Sequence, residues 1–186
     1  MKAKTNLSSF NNHWYSPGAS VAKRLLWYVV NAVFLNSYLL PINSCKVFLL
    51  KLFGANVGIG CVIKPKVNIK YPWKLSIGEH SWIGEKVWID SLAEVSIGAN
   101  VCISQGAMLL CGNHNYKKST FDLMVGAINI KEGAWIGAQS VVCPSVTVES
   151  HAVLTVGSIA TSNLSAYTIY QGNPAKAIKK RTVSES

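Results

Sequence analysis

Residues 130–160 read IKEGAWIGAQSVVCPSVTVESHAVLTVGSIA, and an aliphatic or small residue recurs in them at every sixth position. These positions are Ile130, Ile136, Val142, Val148, Leu154 and Ala160. Four residues after each one stands a second candidate for burial, in the series Ala134, Ser140, Val146, Ala152, Ser158 and Leu164. A period of six is wrong for a helix and fits short strands joined by tight corners, three to a coil.

The same register continues upstream and extends the pattern over most of the chain. It passes through Val57, Ile63, Ile69, Ile77, Ile83, Ile89, Ile97, Ile103 and Leu109. The predicted coils are residues 57–76, 77–96, 97–129, 130–147 and 148–165. Neighbouring coils bury one another's apolar corners, because one coil alone cannot. Five coils at a strand spacing of about 4.8 Å give a column roughly 24 Å tall.

Glycines and tryptophans recur in the same register. Glycines follow the inward aliphatic residue at Gly78, Gly84, Gly98 and Gly137, where we expect corners that favour low steric demand. Trp82 and Trp88 hold equivalent places in consecutive hexapeptides. We therefore expect these two rings to stack along one edge, in a sugar site or a subunit contact.

The register is interrupted between Leu109 and Ile130. The inserted residues 110–129 include the polar stretch GNHNY at 112–116. A polar loop that leaves a rigid column is a common place for function. His114 is the only histidine in this loop, and an imidazole with a pKa of about 6.5 suits a general base at neutral pH.

Several stretches, in this order and spacing, resemble the left-handed β-helix acyltransferases of the hexapeptide-repeat family. Within that family the chain is similar to the colanic-acid and capsule type of polysaccharide O-acetyltransferase. The stretches are FGANVGIG (53–60), YPWKLSIG (71–78), SWIGEKVWI (81–89), NVCISQGAMLL (100–110), GNHNY (112–116), EGAWIGAQSVV (132–142) and QGNPAKAIKKR (171–181), with NNHWYSPG (11–18) near the start. The resemblance implies a homotrimer that moves an acetyl group from acetyl-CoA to a sugar hydroxyl in exopolysaccharide, capsule or O-antigen biosynthesis. The left-handed sense of the β-helix is also inferred from this resemblance, because general crossover rules favour right-handed connections.

The predicted fold is all-β, a left-handed parallel β-helix with an N-terminal helical segment and a short basic C-terminal tail. We divide the chain into an arm with the helical segment (1–52), the β-helix domain with its active-site loop 110–129 (53–166), and a tail that contributes to coenzyme binding (167–186).

The resemblance also assigns the donor site, which in this family lies between two subunits. It places Trp135 against the pantetheine arm, backbone amides at Ala138 and Val156 along the coils, Thr161 and Ser162 near the adenine, and Lys176 and Lys179 beside the nucleotide phosphates. Lys180 and Arg181 add to that positive field. A solvated basic end is the alternative for this tail.

The loop departs from its relatives at one position. They usually resemble Gly-Ser-His-Asp, whereas this chain has Gly112-Asn113-His114-Asn115. An aspartate there would orient the imidazole and stabilise its protonated form, whereas Asn115 supplies hydrogen bonds but no negative charge. From the sequence we therefore expect the substitution Asn115→Asp to raise the basicity of His114.

Acceptor contacts are assigned to Glu85, Asp90, Asn113 and Asn115. Carboxylates commonly bind sugar hydroxyls, and the two acids lie one coil before the His114 loop. Ser104 and Gln105 follow in the next coil. A solvated or column-spacing role is an equal alternative for these residues.

Charge is concentrated at the front of the chain. The first 78 residues contain ten bases and no acid, whereas eight acids balance eight bases from Glu79 onward. This region includes the apolar run LLWYVVNAVFLNSYLL at 25–40, a predicted helix. Sixteen helical residues span only about 24 Å, which is short of a hydrocarbon core of about 30 Å. No small-residue cleavage motif follows the run, so a secretory signal is not expected.

Two roles for this helix are left open. It caps the open end of the column, as repeat folds require, or it binds an anionic membrane surface. In the second case, if the saccharide acceptor is lipid-linked, the arm would hold the enzyme where that acceptor is concentrated. The expected location is cytoplasmic, with peripheral attachment to the inner face of the cytoplasmic membrane in the second case. No recognised nucleic-acid motif accompanies the basic residues, so nucleic acid is not an expected partner.

Three alternatives compete with the O-acetyltransferase. One is a γ-type carbonic anhydrase on the same column, which needs three histidines that converge on zinc. His80 and His151 fall three coils apart, and we therefore predict no metal site. The second is a non-catalytic β-helix scaffold. The third is N-acetylation of an amino sugar, which stays within the same enzyme class.

Overall fold

The structure is a computed structural model that describes residues 4–184, and it forms a β-helical column with helices at its N-terminal end. Helix α1 spans Val21–Val30 and continues as a π-helical turn over Asn31–Leu35, and helix α2 spans Asn43–Leu52. Short 3₁₀ turns occupy Leu7–Ser9 and Pro72–Lys74. The strands are β1 (Asn56–Val57), β2 (Val62–Ile63), β3 (Asn68–Ile69), β4 (Leu75–Ile77), β5 (Trp82–Ile83), β6 (Trp88–Asp90), β7 (Val95–Ile97), β8 (Cys102–Ile103), β9 (Met108–Leu110), β10 (Gly112–His114), β11 (Leu123–Val125), β12 (Ile128–Ile130), β13 (Trp135–Ile136), β14 (Val141–Val142), β15 (Thr147–Val148), β16 (Val153–Leu154), β17 (Ile159–Ala160), β18 (Thr168–Gly172) and β19 (Ala175–Lys180).

Three parallel sheets form the faces of the column, and each full coil gives one strand to each face. Sheet A contains β1, β4, β7, β12 and β15; sheet B contains β2, β5, β8, β13, β16 and β18; sheet C contains β3, β6, β9, β14 and β17. Successive coils pair in register, so that Val57, Ile77 and Ile97 stack directly above one another. The hexapeptide prediction is confirmed by this arrangement.

The periodic residues form the core of the column. The fifteen positions of the first series are each at most 3% exposed, and the six positions of the second series, from Ala134 to Leu164, are at most 2% exposed. Because every coil places its aliphatic residues above those of the coil below, the core is one continuous stack.

The glycines after the inward residues stand where the predicted low steric demand is found, and its cause is the close approach of the next coil. A Cβ built on Gly98 would lie 2.7 Å from the backbone nitrogen of Glu132 in the next coil. Glycine is therefore required there for close approach between coils. The corners with positive φ are formed by other residues, such as His80 (57°), Asn100 (55°) and His151 (58°).

The expected stack of two tryptophans is wrong. Trp82 pairs with Cys102 in sheet B, whereas Trp88 pairs with Met108 in sheet C. Consecutive hexapeptides form consecutive faces, because the chain turns a corner between them. The two rings therefore lie on different sides of the column.

The N-terminal helices cover the first coil and bury part of the apolar run. Trp27 and Leu35 are buried, as is Leu50 from α2. The α-helix is shorter than predicted and ends at Val30, where Asn31 turns its side chain to the column. In the described residues, no helix is both long enough and apolar enough to cross a bilayer.

Side chains from the helices also form hydrogen bonds with the backbone groups at the open edge of the first coil. Asn43 donates to the Cys61 carbonyl at 2.8 Å and accepts from the Ile63 amide at 2.7 Å. Buried Lys46 donates to the Ile63 carbonyl at 3.2 Å. The edge strand thus has hydrogen-bond partners, which protects it from pairing with another chain.

The column continues beyond residue 165 as a partial sixth coil. Strand β18 pairs in parallel with β16, and β19 then returns antiparallel to β18. The sequence missed this continuation because residues 166–172 lack the six-residue period. The predicted tail therefore begins inside sheet B, and only its outer strand carries the exposed lysines.

Candidate active site

The inserted segment is an ordered hairpin that leaves the column between sheets C and A. Strands β10 and β11 pair antiparallel, with His114 opposite Leu123 and Gly112 opposite Val125. The hairpin starts directly after β9 and ends directly before β12. It therefore projects from one corner of the prism and carries His114 with it.

His114 is half-buried and held by a backbone carbonyl. Its Nδ1 lies 2.9 Å from the carbonyl oxygen of Phe121. Because a carbonyl can only accept, Nδ1 carries the hydrogen in the neutral ring and Nε2 keeps a free lone pair. The Phe121 ring stacks on the imidazole at 4.5 Å, with an angle of 8° between the planes. The orientation of the imidazole is thus fixed on two sides.

The N-terminal arm packs beside this hairpin, which the sequence did not predict. The Asn6 amide donates to the Ser119 carbonyl at 2.8 Å, and the Phe10 ring lies 5.8 Å from His114. Tyr15 donates its hydroxyl to the Leu92 carbonyl at 2.8 Å. The only signal in the sequence was the resemblance of residues 11–18 to the family, which assigned no contact to them.

A cavity of about 480 Å³ opens beside His114. Its lining is Phe10, Asn12, Tyr15, Pro17, Arg24, Lys70, Tyr71, Leu92, His114 and Leu123. The wall therefore combines the arm, the first turn of α1, the edge of sheet C and the hairpin. It holds two bases and several aromatic rings, and none of its lining residues is acidic.

The two asparagines beside His114 bond to the backbone of the hairpin. Asn113 accepts from the His114 amide at 2.8 Å, and Asn115 accepts from the Lys117 amide at 3.1 Å. The carboxylate of the hairpin is Asp122, which bonds Lys118 at 2.8 Å and Thr120 at 2.5 Å. These bonds lower the pKa of Asp122. Asp122 braces the hairpin, and Nδ1 of His114 bonds Phe121 instead.

The two predicted acceptor acids lie apart. Asp90 is 8% exposed, and its Oδ1 lies 3.1 Å from Lys70 Nζ without a well-aligned hydrogen bond. Its Oδ2 lies close to Gly112 in the hairpin. Asp90 therefore borders the His114 region from below, and its charge is compensated by Lys70.

Glu85 belongs to a different cavity, of about 570 Å³, on the corner between sheets B and C. Trp82, Ser104, Gln105 and Gln139 line that cavity with it. Tyr38 donates its hydroxyl to Glu85 at 2.7 Å, and this hydrogen bond is the main cause of the lowered pKa of Glu85. Within one chain, Glu85 is not part of the cavity at His114.

Several predicted donor-site residues lie along sheet B and its corner with sheet C. Trp135 is 47% exposed and donates its indole N–H to Ser104 at 2.9 Å. In the described part of the chain, the amides of Ala138 and Val156 donate to no protein group. They stand one coil apart at the same corner, since the Gly157 amide bonds the Ala138 carbonyl at 2.9 Å. This corner thus offers two free N–H donors.

The remaining predicted donor-site residues lie at the C-terminal end of the column. Thr161 and Ser162 are exposed just after β17, and Lys176 and Lys179 are exposed on β19. Arg181 instead donates to the Gly133 carbonyl at 2.9 Å and to the His151 carbonyl at 3.1 Å. Its guanidinium is therefore bound to the corner between sheets A and B.

The geometry gives no support to a zinc enzyme. His80 and His151 occupy the same kind of corner in the second and fifth coils. Across residues 4–184, no three His, Cys, Asp or Glu side chains gather in a group that could hold a metal ion.

Comparison with known proteins identifies relatives along the whole chain. No protein-family model matches it. It is 34% identical over 180 residues to WcaF of Escherichia coli (strain K12), a protein assigned to colanic acid biosynthesis as an acetyltransferase; the match covers 97% of this chain and 99% of WcaF. It is 27% identical over 135 residues to the galactoside O-acetyltransferase of the same organism, covering 71% of this chain and 66% of that enzyme.

Solved structures show the same architecture. A hexapeptide-repeat acetyltransferase of Vibrio cholerae, solved with acetyl-CoA, matches with a TM-score of 0.79 at 20% identity over 89% of this chain and 92% of the other. A galactoside acetyltransferase in complex with coenzyme A matches with a TM-score of 0.77 at 25% identity, covering 87% of this chain and 82% of that one. These neighbours are left-handed β-helices, and the same handedness holds for this column.

Proposed function

Because this chain belongs to the hexapeptide-repeat acetyltransferases, we propose that it transfers the acetyl group of acetyl-CoA to a hydroxyl of a saccharide in surface-polysaccharide biosynthesis. The observation that carries the chemistry is the orientation of His114, whose Nδ1 is held by the Phe121 carbonyl and whose Nε2 is free. The relatives assigned to colanic acid biosynthesis and to galactoside O-acetylation support a sugar as the acceptor.

In the proposed reaction, His114 acts as the general base. Nε2 removes the hydroxyl proton of the acceptor while the oxygen attacks the thioester carbonyl, and the C–S bond then breaks to release the coenzyme as a thiol. Direct attack in a ternary complex requires no acyl-enzyme. Stacking on Phe121 and the hydrogen bond at Nδ1 keep the imidazole aligned throughout.

The donor site is proposed to lie between subunits of a homotrimer. In one chain the His114 hairpin leaves the corner between sheets C and A, whereas Trp135, Ala138 and Val156 follow sheet B and the corner between B and C. One subunit therefore cannot bring both halves together across the prism. A neighbouring subunit supplies the missing half, with Thr161, Ser162, Lys176 and Lys179 at the nucleotide end.

The outer faces of the column support this assembly. The outward row of sheet A is polar: Asn56, Ser76, Ser96, Asn129 and Thr147. The outward rows of sheets B and C are mostly apolar, and they include Trp82, Cys102 and Trp135 in sheet B and Trp88, Met108 and Val141 in sheet C. A closed ring needs two different contact faces on each subunit, and these two adjacent faces provide them.

The two N-terminal helices and the segment between them (residues 21–52), here called the cap, are proposed to attach the trimer to an anionic membrane surface at the cytoplasmic side. Beyond the residues that it buries, the cap exposes Leu26, Leu39, Phe48 and Leu52 by 59–76%. The first 78 residues carry ten bases without an acid. Exposed apolar side chains together with positive charge are the two signals that reversible attachment needs.

The substitution His114→Ala tests the chemistry, with His13→Ala as the matched control. We expect the turnover number of the first variant to fall roughly 10²- to 10⁴-fold, the usual contribution of a general base, while its affinity for coenzyme A stays unchanged. The control, an exposed histidine in the arm, should keep full activity. Near-normal turnover by a folded His114→Ala protein would remove His114 from the mechanism. Release of the product acetyl by mild alkali distinguishes an ester from the amide that N-acetylation would leave.

A further inference from the structure

The cavity beside His114 continues along the surface of α1. A second cavity, of about 490 Å³, shares Arg24, Lys70 and Tyr71 with it. The second cavity lies between α1 and the first strands of sheet C. Together the two form one groove that begins at His114, passes the two bases and ends on the helix.

The far end of this groove is open and mainly apolar. Its amide side chains are Asn31, Asn36 and Asn68, of which Asn31 donates to Asn68 at 2.8 Å. Leu25 and Tyr28 of α1 line it with exposures of 63% and 73%, and Trp88 of sheet C, which stands in the row proposed as a subunit contact, borders the opposite side. Side chains of this kind at the surface indicate a binding site for an apolar group. The groove thus has a catalytic end and an apolar end.

Of the two positive charges at the junction, only that of Lys70 is paired within the described residues. Lys70 is compensated by Asp90 at 3.1 Å. Arg24 has neither a side-chain hydrogen bond nor a carboxylate within ion-pair distance among residues 4–184. It stands in the first turn of α1, where a positive charge opposes the helix dipole, so it does not stabilise the helix. Its neighbour Lys23, by contrast, lies over the Trp73 ring at 5.0 Å.

We propose that the acceptor is a saccharide joined through a phosphate or diphosphate to an apolar chain. This inference rests on the proposed acetyltransferase function and names its substrate class. The sugar lies at His114, the phosphate oxygens bind Arg24, and the chain lies along Leu25 and Tyr28. A guanidinium matches phosphate oxygens in a bidentate arrangement, which favours arginine at this point.

A nucleotide-linked sugar has the same phosphate chemistry but a different far end. Its nucleoside is polar, and the amide side chains of this wall offer it little, because Asn31 already bonds Asn68 and the Ile69 amide. A lipid chain gains free energy from the same wall. The groove therefore favours the lipid as the source of the phosphate.

Binding measurements test this proposal without any acetyl transfer. Geranyl diphosphate, inorganic pyrophosphate and geraniol are titrated by calorimetry into the full chain with coenzyme A at saturation, so that the donor site is already filled. We expect geranyl diphosphate to bind at least about tenfold more tightly than either of the other two probes. The substitution Arg24→Gln should weaken both diphosphate probes about tenfold or more and leave geraniol unchanged.

The matched control is Lys51→Gln, which removes the same charge from the cap at a position outside both cavities. It should leave all three affinities as they are. Equal losses of diphosphate affinity in the two variants would mean that the basic cap attracts anions in general, and would contradict a specific phosphate site at Arg24. If pyrophosphate binds as tightly as geranyl diphosphate, the apolar chain makes no contact in the groove and the lipid assignment is wrong. If the affinities are unchanged in Arg24→Gln, Arg24 does not bind the phosphate. Because no turnover is measured, these outcomes are independent of whether His114 is the base.

Discussion

The imidazole of His114 has one nitrogen held and one nitrogen free, and the holding group is a neutral carbonyl. Phe121 supplies that carbonyl and also stacks on the ring. Asn115 faces the Lys117 amide. A charge placed at position 115 would therefore point away from the ring and towards the turn of the hairpin.

For the substitution Asn115→Asp, this geometry predicts a smaller effect than the sequence alone does. A carboxylate beside His114 would raise its pKa and move the acid limb of the rate profile to higher pH, because the protonated base is inactive. With the side chain bound to the Lys117 amide, we expect the acid limb to stay where it is. The pH dependence of kcat/KM in both proteins is the measurement. An upward shift of the acid limb would show that residue 115 reaches the ring in solution.

Single residues were the hardest scale to predict from the sequence. His114 stood out, because the interruption of the period and the GNHNY context both marked it. Phe121 could not be identified, since it acts through its carbonyl and any residue has one. Phe10 and Arg24 line the same cavity from distant parts of the chain, and no spacing rule connects them to residue 114. Asp90 was assigned to the acceptor from the sequence, whereas its pairing with Lys70 depends on a neighbouring coil and could not be predicted.

Among the structural elements, the strands of the coils could be predicted from the sequence, whereas the bounds of the helices could not. Each coil repeats one local pattern, so its strands and inward residues can be read directly. The sequence of the cap has no such repeat. Its helix ends early because Asn31 bonds Asn68 and the Ile69 amide in the column, and these contacts are tertiary. The partial sixth coil could not be predicted for the same reason, since its position depends on pairing with β16 and its sequence lacks the six-residue period.

The glycines between coils allow a direct test of this packing. In Gly98→Ala the new Cβ meets backbone atoms of Glu132 and Lys131 at 2.7–3.1 Å, and these cannot move without separating the coils. We expect a loss of about 3 kcal/mol in the free energy of unfolding, at the upper end of the usual cost of overpacking. The matched change Gly157→Ala meets nothing within 4 Å and costs only its positive φ of 66°, about 1 kcal/mol. Chemical denaturation of both variants gives the comparison, and equal losses would contradict close packing at Gly98.

At the scale of the whole molecule, the polar and apolar faces of the column predict how subunits meet. Met108 lies in the apolar outward row of sheet C between Trp88 and Val141, whereas Ser96 lies in the polar row of sheet A. We expect Met108→Asp to dissociate the trimer and to weaken acetyl-CoA binding, because a buried charge at a contact is costly. Ser96→Asp should leave both properties unchanged. Light scattering and calorimetry provide the measurements, and a fully active monomer would contradict a shared donor site.

The proposed membrane contact would be made by three caps, since three subunits around one axis bring their caps to the same end of the proposed trimer. Weak single contacts then add through effective concentration. Removal of residues 1–52 is a poor test, because Trp27, Leu35 and Leu50 are buried against the first coil and their loss would expose its core. Surface substitutions on the cap avoid this difficulty.

The double substitution Leu26→Asp with Leu39→Asp changes two side chains that are 59% and 76% exposed, and Val183→Asp is the control at 57% exposure in the tail. Insertion of one leucine contributes about 1.5–3 kcal/mol, so the double variant should lose at least about a hundredfold in affinity for vesicles rich in phosphatidylglycerol. Binding of the unsubstituted protein should weaken with salt, because its lysines and arginines are screened. Acetylation of a small soluble acceptor should be the same in all three proteins. Equal sedimentation of the double variant and the unsubstituted protein with these vesicles would remove the cap from the membrane contact.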